Sequence, residues 1–138
     1  MGFQSTAAPA SRTIFREQRR QLRRRRVGEL QPLRHQLKNP NGRGGRCSEY
    51  LLSLAIEMAS AEGVYGPAAD TDGIDGSEAN AGAWFSPALV AAAMARGVRA
   101  DKLLAANDAY GFFVRTGGLI LTGPTRTNVN DSRAVLLV

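Results

Sequence analysis

Three stretches carry residue types that could do chemistry. Gly42-Arg43-Gly44-Gly45-Arg46 is a glycine-rich loop that runs straight into a helical pattern with Glu49 in its first turn. Backbone N–H groups at such a helix start, with Arg43 and Arg46 beside them, make an anion site. A tight turn before a helix explains the same spacing. Asp70-Thr71-Asp72-Gly73-Ile74-Asp75-Gly76 sets three carboxylates within six positions. Closely spaced Asp suits a hard cation such as Mg²⁺, and a solvated acidic loop is the competing reading. An EF-hand is excluded, because the carboxylate at position twelve is missing and the glycines are misplaced. Gly123-Pro124-Thr125-Arg126-Thr127-Asn128-Val129-Asn130-Asp131 is a long polar loop of hydroxyls, amides and one arginine between two apolar runs. Loops held in this way by buried strands often carry function.

Several elements must position these groups. After the glycine loop, Leu51, Leu54, Ala55, Met58 and Ala59 recur at helical spacing, with Ser48 as the expected N-cap and Gly63 as the stop. Residues 64–85 differ in character: the acidic segment Asp70 to Gly76 is followed by small residues, Ser77 to Ala83, that imply close backbone approach to a ligand or another domain. Ser86-Pro87 opens a second helix, with Ser as cap and Pro at the first helical position, and Gly97 stops it. A short helix is expected over 101–106. Another starts at Asn107 or Asp108 and ends at Gly117-Gly118. Its Tyr110 and Phe113 share a face at helical spacing and are expected in the core. Leu119 to Thr122 and Arg133 to Val138 are expected as strands buried on both faces, which suits an α/β layer arrangement.

Composition narrows the classes. The 138 residues fit one domain, and 43% are hydrophobic. The single Cys47 forbids an internal disulfide or a thiolate-rich zinc site, and the single His35 forbids a multi-histidine metal site. No apolar run approaches the roughly 18 residues of a membrane span, and no signal-peptide pattern opens the chain. The net charge of +6 is divided unevenly: residues 1–46 carry 12 Lys/Arg and 2 Asp/Glu, whereas residues 47–138 carry 6 and 10. Residues 1–38, centred on Arg19 to Arg26, therefore read as a disordered basic extension ahead of an ordinary domain at 39–138. A nucleic-acid-binding arm, a transit peptide and a membrane-surface patch are the other readings of that charge. The arm lacks a fold motif, and Phe15 is the only aromatic residue near the arginines for stacking on bases. No G-x-G-x-x-G fingerprint marks a nicotinamide site.

Taken in order, the glycine loop with Glu49, the segment Thr71 to Gly76, Asn107-Asp108-Ala109-Tyr110-Gly111-Phe112-Phe113, and the segment Thr122 to Asp131 resemble the MOFRL family. That is the C-terminal domain of the class II glycerate 2-kinases, often labelled hydroxypyruvate reductases. The resemblance covers residues 39–138. It implies an α/β fold, here a partial MOFRL domain with a small mixed sheet flanked by helices. It also implies a cytoplasmic kinase that transfers the γ-phosphoryl of ATP, with Mg²⁺, to the 2-hydroxyl of D-glycerate in a cleft between two domains.

Residue by residue, the resemblance makes Arg46 the catalytic arginine of the glycine loop. It makes Arg43, Gly44 and Gly45 phosphate- or substrate-binding. Asp72 and Asp75 become metal ligands or orienters of the 2-hydroxyl, and Thr125, Thr127 and Asn128 line the cleft. Cys47, Arg126 and Gly118 depart from the family, which commonly has Asn, Gly and Asp there. No N-terminal domain is visible, so the chain reads as a truncated member: inactive alone, prone to self-association, with no cofactor demonstrable by itself. The alternatives are a half-enzyme completed by a separately encoded N-terminal glycerate kinase domain, and a basic-tail nucleic-acid-binding protein.

Overall fold

In a computed structural model of the chain, residues 39–58 and 62–138 are described. The basic extension at 1–38 and Ala59 lie outside them.

A layer of helices packs on an antiparallel sheet. Helix α1 spans Arg46–Glu57, α2 Pro87–Ala95, α3 Ala100–Ala105 and α4 Ala109–Thr116. The strands are β1 (Val64–Asp70), β2 (Gly82–Phe85), β3 (Leu119–Ile120), β4 (Asp131–Arg133) and β5 (Leu136–Leu137). Their order is β3-β2-β1, and the far edge of β1 is shared by β4 and β5. The bend between β4 and β5 is bridged by the Ala134 N–H, which donates to the Pro67 carbonyl. The α/β class expected from sequence is present, but among the described residues every pairing is antiparallel rather than mixed.

Residues 64–85, where no strand was expected from sequence, contain the two longest strands among the described residues. Their alternation was masked by small residues. Val64, Gly66 and Ala68 are buried while Tyr65 and Pro67 are exposed, the period of two of a half-buried strand. The close approach expected of the small residues is made within the domain, where a side chain at Gly82 would collide with the Ala68 carbonyl of β1.

Register then assigns the faces. Val64, Gly66, Ala68 and Asp70 look toward α1, which contacts both β1 and β2. Tyr65, Pro67 and Ala69 look away, opposite Leu136, Trp84 and Gly82 in turn. That outer face is open: Tyr65 is 40% exposed, Trp84 41% and Leu136 58%. The expectation that the last two strands are buried on both faces is therefore corrected. They are short pieces of a sheet with a cover on one side only, and Leu121 lies beyond β3 at 71% exposure.

The helices follow local chemistry. Ser86 Oγ accepts from the Leu89 N–H, and Pro87 sits in the first turn. Asp108 caps α4 by accepting from the Gly111 N–H. Gly117 ends α4 at φ +74°, the left-handed region open to glycine. Phe112 and Phe113 meet edge to face with centroids 5.1 Å apart and are buried. Tyr110 is half-buried, under the Arg43 guanidinium. The expected Ser48 cap is replaced: α1 begins three residues earlier, with Gly45 at the N-cap position.

The face assignment is directly testable. Phe85→Ala should cost about 3–5 kcal/mol in urea unfolding, because it empties a buried aromatic site. Trp84→Thr, one residue earlier on the open face, should cost under about 1 kcal/mol. Equal costs would reverse the assignment.

Candidate functional site

The sequence-predicted residues divide into two groups around the start of α1. The first is structural. Asp75 is 1% exposed. Its Oδ1 accepts from the Cys47 N–H at 2.9 Å, and its Oδ2 accepts from the Ser48 N–H at 2.8 Å and from the Ser48 hydroxyl. The positive end of α1 thus already holds an anion, and that anion is the protein's own carboxylate. A side chain at Gly45 would collide with the Asp75 carboxylate and its backbone carbonyl, which is the physical reason for glycine there. The Gly44 N–H donates to Ser77 Oγ at 3.2 Å. Arg43 Nε donates to Glu78 Oε1 at 3.1 Å, and its guanidinium lies 4.6 Å from the centroid of the Tyr110 ring. The phosphate-binding roles expected of Arg43, Gly44 and Gly45 thus meet a loop whose Cys47 and Ser48 N–H donors and Arg43 side chain already serve the acidic segment.

The second group surrounds Arg46. Its side chain is 60% exposed, and Nη2 lies 3.0 Å from Asp131 Oδ1 and 3.5 Å from Asp70 Oδ2. These opposite charges, Asp131 first, hold the Arg46 pKa above its ordinary value. Asp70 and Asp131 are direct partners across the β1–β4 ladder. The final polar loop is laid over the acidic one. The Thr71 hydroxyl donates to the Asn130 carbonyl and accepts from the Val129 N–H, and the Thr125 hydroxyl donates to the Thr71 carbonyl. The Thr125 N–H donates to the Asp72 carbonyl at 3.0 Å. Thr127 and Asn128 stay within this loop, through the Thr125 hydroxyl and the Asn130 N–H respectively. Arg126, where the family commonly has glycine, sits at φ +61°, a conformation that favours glycine.

The structure joins Asp72, Thr125, Thr127 and Asn128 in two bonded polar loops, sets Arg46 against Asp70 and Asp131, where β1 leaves for the one loop and the other enters β4, and leaves Arg43, Gly44, Gly45 and Asp75 in the scaffold. Asp70 and Asp131 lie in segments marked from sequence, but neither was given a role of its own there. The signal that could have found them is the alternation of β1, whose inward series Val64, Gly66, Ala68 ends on Asp70.

Asp72 and Asp75 do not form an open pair for Mg²⁺. Both Asp75 oxygens are used by α1, and Asp72 Oδ1 accepts from the Ile74 N–H at 2.8 Å. Among the described residues no three His, Cys, Asp or Glu side chains are grouped to hold a metal ion. The donor set does not fit a resident Mg²⁺, which corrects that expectation for Asp75. Cys47 is no nucleophile: burial first, then the Asp75 charge, pushes its thiol pKa far up.

Two tests follow. Asp75→Ala should destabilise by about 2–4 kcal/mol in urea unfolding, since it strips the cap and leaves buried N–H groups unpaired; an unchanged midpoint would remove the cap from its structural role. Glu49 Oε1 is shielded from solvent and has no hydrogen-bond partner among the described residues. Burial first, then the Asp75 charge, raises its pKa against a lowering bond from Asn107. A carboxyl whose folded value lies above its unfolded one contributes fully below the unfolded value and loses that contribution as pH rises through the folded one. Glu49→Gln should therefore stabilise at pH 7, and the gain should vanish below about pH 4. A gain that persists in acid would contradict this.

Comparison with known proteins accords with this architecture. The MOFRL family matches residues 33–131. A protein of Agrobacterium vitis that bears a hydroxypyruvate reductase name is 48% identical over 96 residues, 70% of this chain and 22% of its own. The D-glycerate 2-kinase of Thermotoga maritima is 41% identical over 98 residues, 71% of this chain and 24% of its own. The crystal structure of the Thermotoga maritima glycerate kinase superposes with a TM-score of 0.68 over 71% of this chain. That of a Pyrococcus horikoshii protein superposes at 0.70 and 29% identity over 75% of this chain and 23% of its own. The chain spans about a quarter or less of the length of these relatives. On the match over most of its length, the chain belongs to the MOFRL family.

Proposed function

We propose that this chain is the C-terminal domain of a glycerate 2-kinase, contributing Arg46 to the transfer of a phosphoryl group onto the 2-hydroxyl of D-glycerate. The observation that carries the reading is Arg46 itself. It is an arginine exposed over 60% of its side chain, anchored at one nitrogen by Asp131 and Asp70, on the rim where the two polar loops meet. Phosphoryl transfer needs positioning and charge stabilisation more than covalent chemistry from the protein. A held guanidinium supplies both, because it stays charged and presents fixed N–H donors to a carboxylate or phosphate. ATP, when bound, supplies the γ-phosphoryl group; its other contacts, and the metal that accompanies it, would come from the larger remainder of such an enzyme. The Thr71, Thr125 and Asn128 side chains belong to the ordered loops beside the arginine.

A reductase reading is less well supported, although two relatives bear that name. Among the described residues the five strands pair antiparallel, whereas a dinucleotide crevice is built at the carboxyl ends of parallel strands behind a glycine fingerprint.

The test is a glycerate- and MgATP-dependent phosphorylation assay on the 138-residue chain, alone and with a separately expressed N-terminal region of the Thermotoga maritima glycerate 2-kinase. The expected outcome is no turnover alone, turnover in the mixture, and a loss of about a hundredfold on Arg46→Met. Turnover by the chain alone would overturn its place as a dependent domain. Silence in the mixture, beside an active full-length relative, would overturn the kinase reading.

A further inference from the structure

Arg46 is a long side chain in solvent, yet it is held through a closed circuit of contacts. Its Nη2 meets Asp131 Oδ1 at 3.0 Å, while Asp131 Oδ2 meets Arg133 Nη2 at 2.8 Å. The Arg133 guanidinium lies 4.3 Å from the centroid of the Tyr50 ring. Tyr50 is 7% exposed and stands one turn after Arg46 on α1. The circuit therefore leaves α1 at Arg46, crosses to β4, and returns to α1 at a buried aromatic ring.

Register explains why the parts meet. Asp70 opposes Asp131 and Ala68 opposes Arg133 across the ladder, so both carboxylates and Arg133 lie on the face that α1 covers. Two carboxylates directly opposite each other repel, and Arg46 and Arg133 neutralise them from either side. Only Nη2 of Arg46 is used: among the described residues its Nε and Nη1 make no hydrogen bond. The anchored nitrogen fixes the plane of the guanidinium, and the remaining N–H donors are left for another group.

We propose that Asp131, braced by Arg133 on Tyr50 and seconded by Asp70, is the positioning residue for Arg46. It sets the orientation in which Arg46 meets a phosphate- or carboxylate-bearing substrate. This rests on Arg46 as the anion-contacting residue. Stability alone is a poor reason for the arrangement, since exposed ion pairs contribute little. A preorganised guanidinium, by contrast, spends no reorganisation when the anion arrives. Asp131 has no substrate contact assigned to it; it acts through Arg46.

The experiment reads the guanidinium directly, on the intact chain labelled with ¹⁵N-arginine, with Arg46→Lys identifying the signal. Without any anion, the wild-type Arg46 should show restricted rotation, with distinct Nη1 and Nη2 resonances. Asp131→Asn keeps the shape and the ladder, so the backbone amide spectrum should persist while the Arg46 signals average together. Arg133→Met should loosen them partly, and Arg133→Lys should restore part of the restriction. Inorganic phosphate is then titrated while Arg46 Nε–H is followed. A saturable shift in the wild type should weaken at least about tenfold in Asp131→Asn. Restricted rotation that survives Asp131→Asn, or phosphate binding that is unchanged or tighter in that variant, would overturn the positioning role. A wild-type Arg46 that is already freely rotating would overturn it too. A rigid wild-type Arg46 that ignores phosphate would instead overturn the anion-contact reading, so the two failures are distinguishable.

Discussion

The Asp75 carboxylate at the start of α1 is the constraint from which the rest of the site follows. A buried carboxylate is costly unless its oxygens are satisfied. Here three donors from α1 and the positive end of the helix dipole satisfy them. Both sides must give way for this contact. Gly45 has no side chain because none fits against Asp75. The acidic segment folds back on itself, with the Asp75 N–H donating to the Asn80 carbonyl at 2.7 Å. Asn80 Nδ2 then donates to Ser48 Oγ and to the Gly82 carbonyl, which ties the same knot to the first residue of β2. One carboxylate thus fixes the glycine loop, the acidic loop and the sheet against each other. It also converts a sequence pattern that reads as a phosphate trap into a joint.

That joint decides where Arg46 goes. The cap uses the N–H groups of Cys47 and Ser48, so α1 must start at Arg46, with its side chain leaving the helix at the end of the sheet. The inward series of β1 finishes at the same place on Asp70, and β4 begins there on Asp131. Neither carboxylate could stand opposite the other without a cation between them. The arginine and the acids therefore depend on each other, and their shared position depends on Asp75.

Local chemistry was legible in the sequence, and pairing was not. Ser86-Pro87, Asp108 and Gly117 each act on residues a few positions away, so their types alone announced a cap or a stop. The type of Asp75 announced a carboxylate suited to positive charge, but the partner it meets is 27 and 28 residues distant. Spacing within the acidic loop could not show that the cation it meets is a helix end. The Arg46–Asp131 contact spans 85 residues and exists only because β4 returns to the edge of β1. The strand β1 was hidden for a different reason. Gly66, Pro67, Ala68 and Ala69 have the composition of a turn, and only the burial alternation exposes the strand. Of the candidate residues, those on the final loop are held by backbone contacts that its hydroxyls and amides were suited to make, and the loop runs into β4 at Asp131, the partner of Arg46.

Those contacts bear on how the rim works. Every residue from Leu121 to Asn130 is exposed, so burial cannot be what orders this loop. Its order comes from polar bonds to Thr71 and Asp72 at positions 125, 129 and 130. A loop ordered by burial would have its side chains committed to the core. A loop ordered through its own backbone and one threonine keeps Thr127, Asn128 and the arginine beside it available to solvent. Preorganisation without burial is what a surface needs if it is to meet a small polar anion, since the chain entropy is already spent before the ligand arrives. The same logic applies to Arg46, held at one nitrogen and open at the others. Rigid scaffold and open rim are thus two consequences of the same choice, in which the polar groups of the acidic loop are turned inward on α1 at Asp75 and outward on the last loop at Thr71.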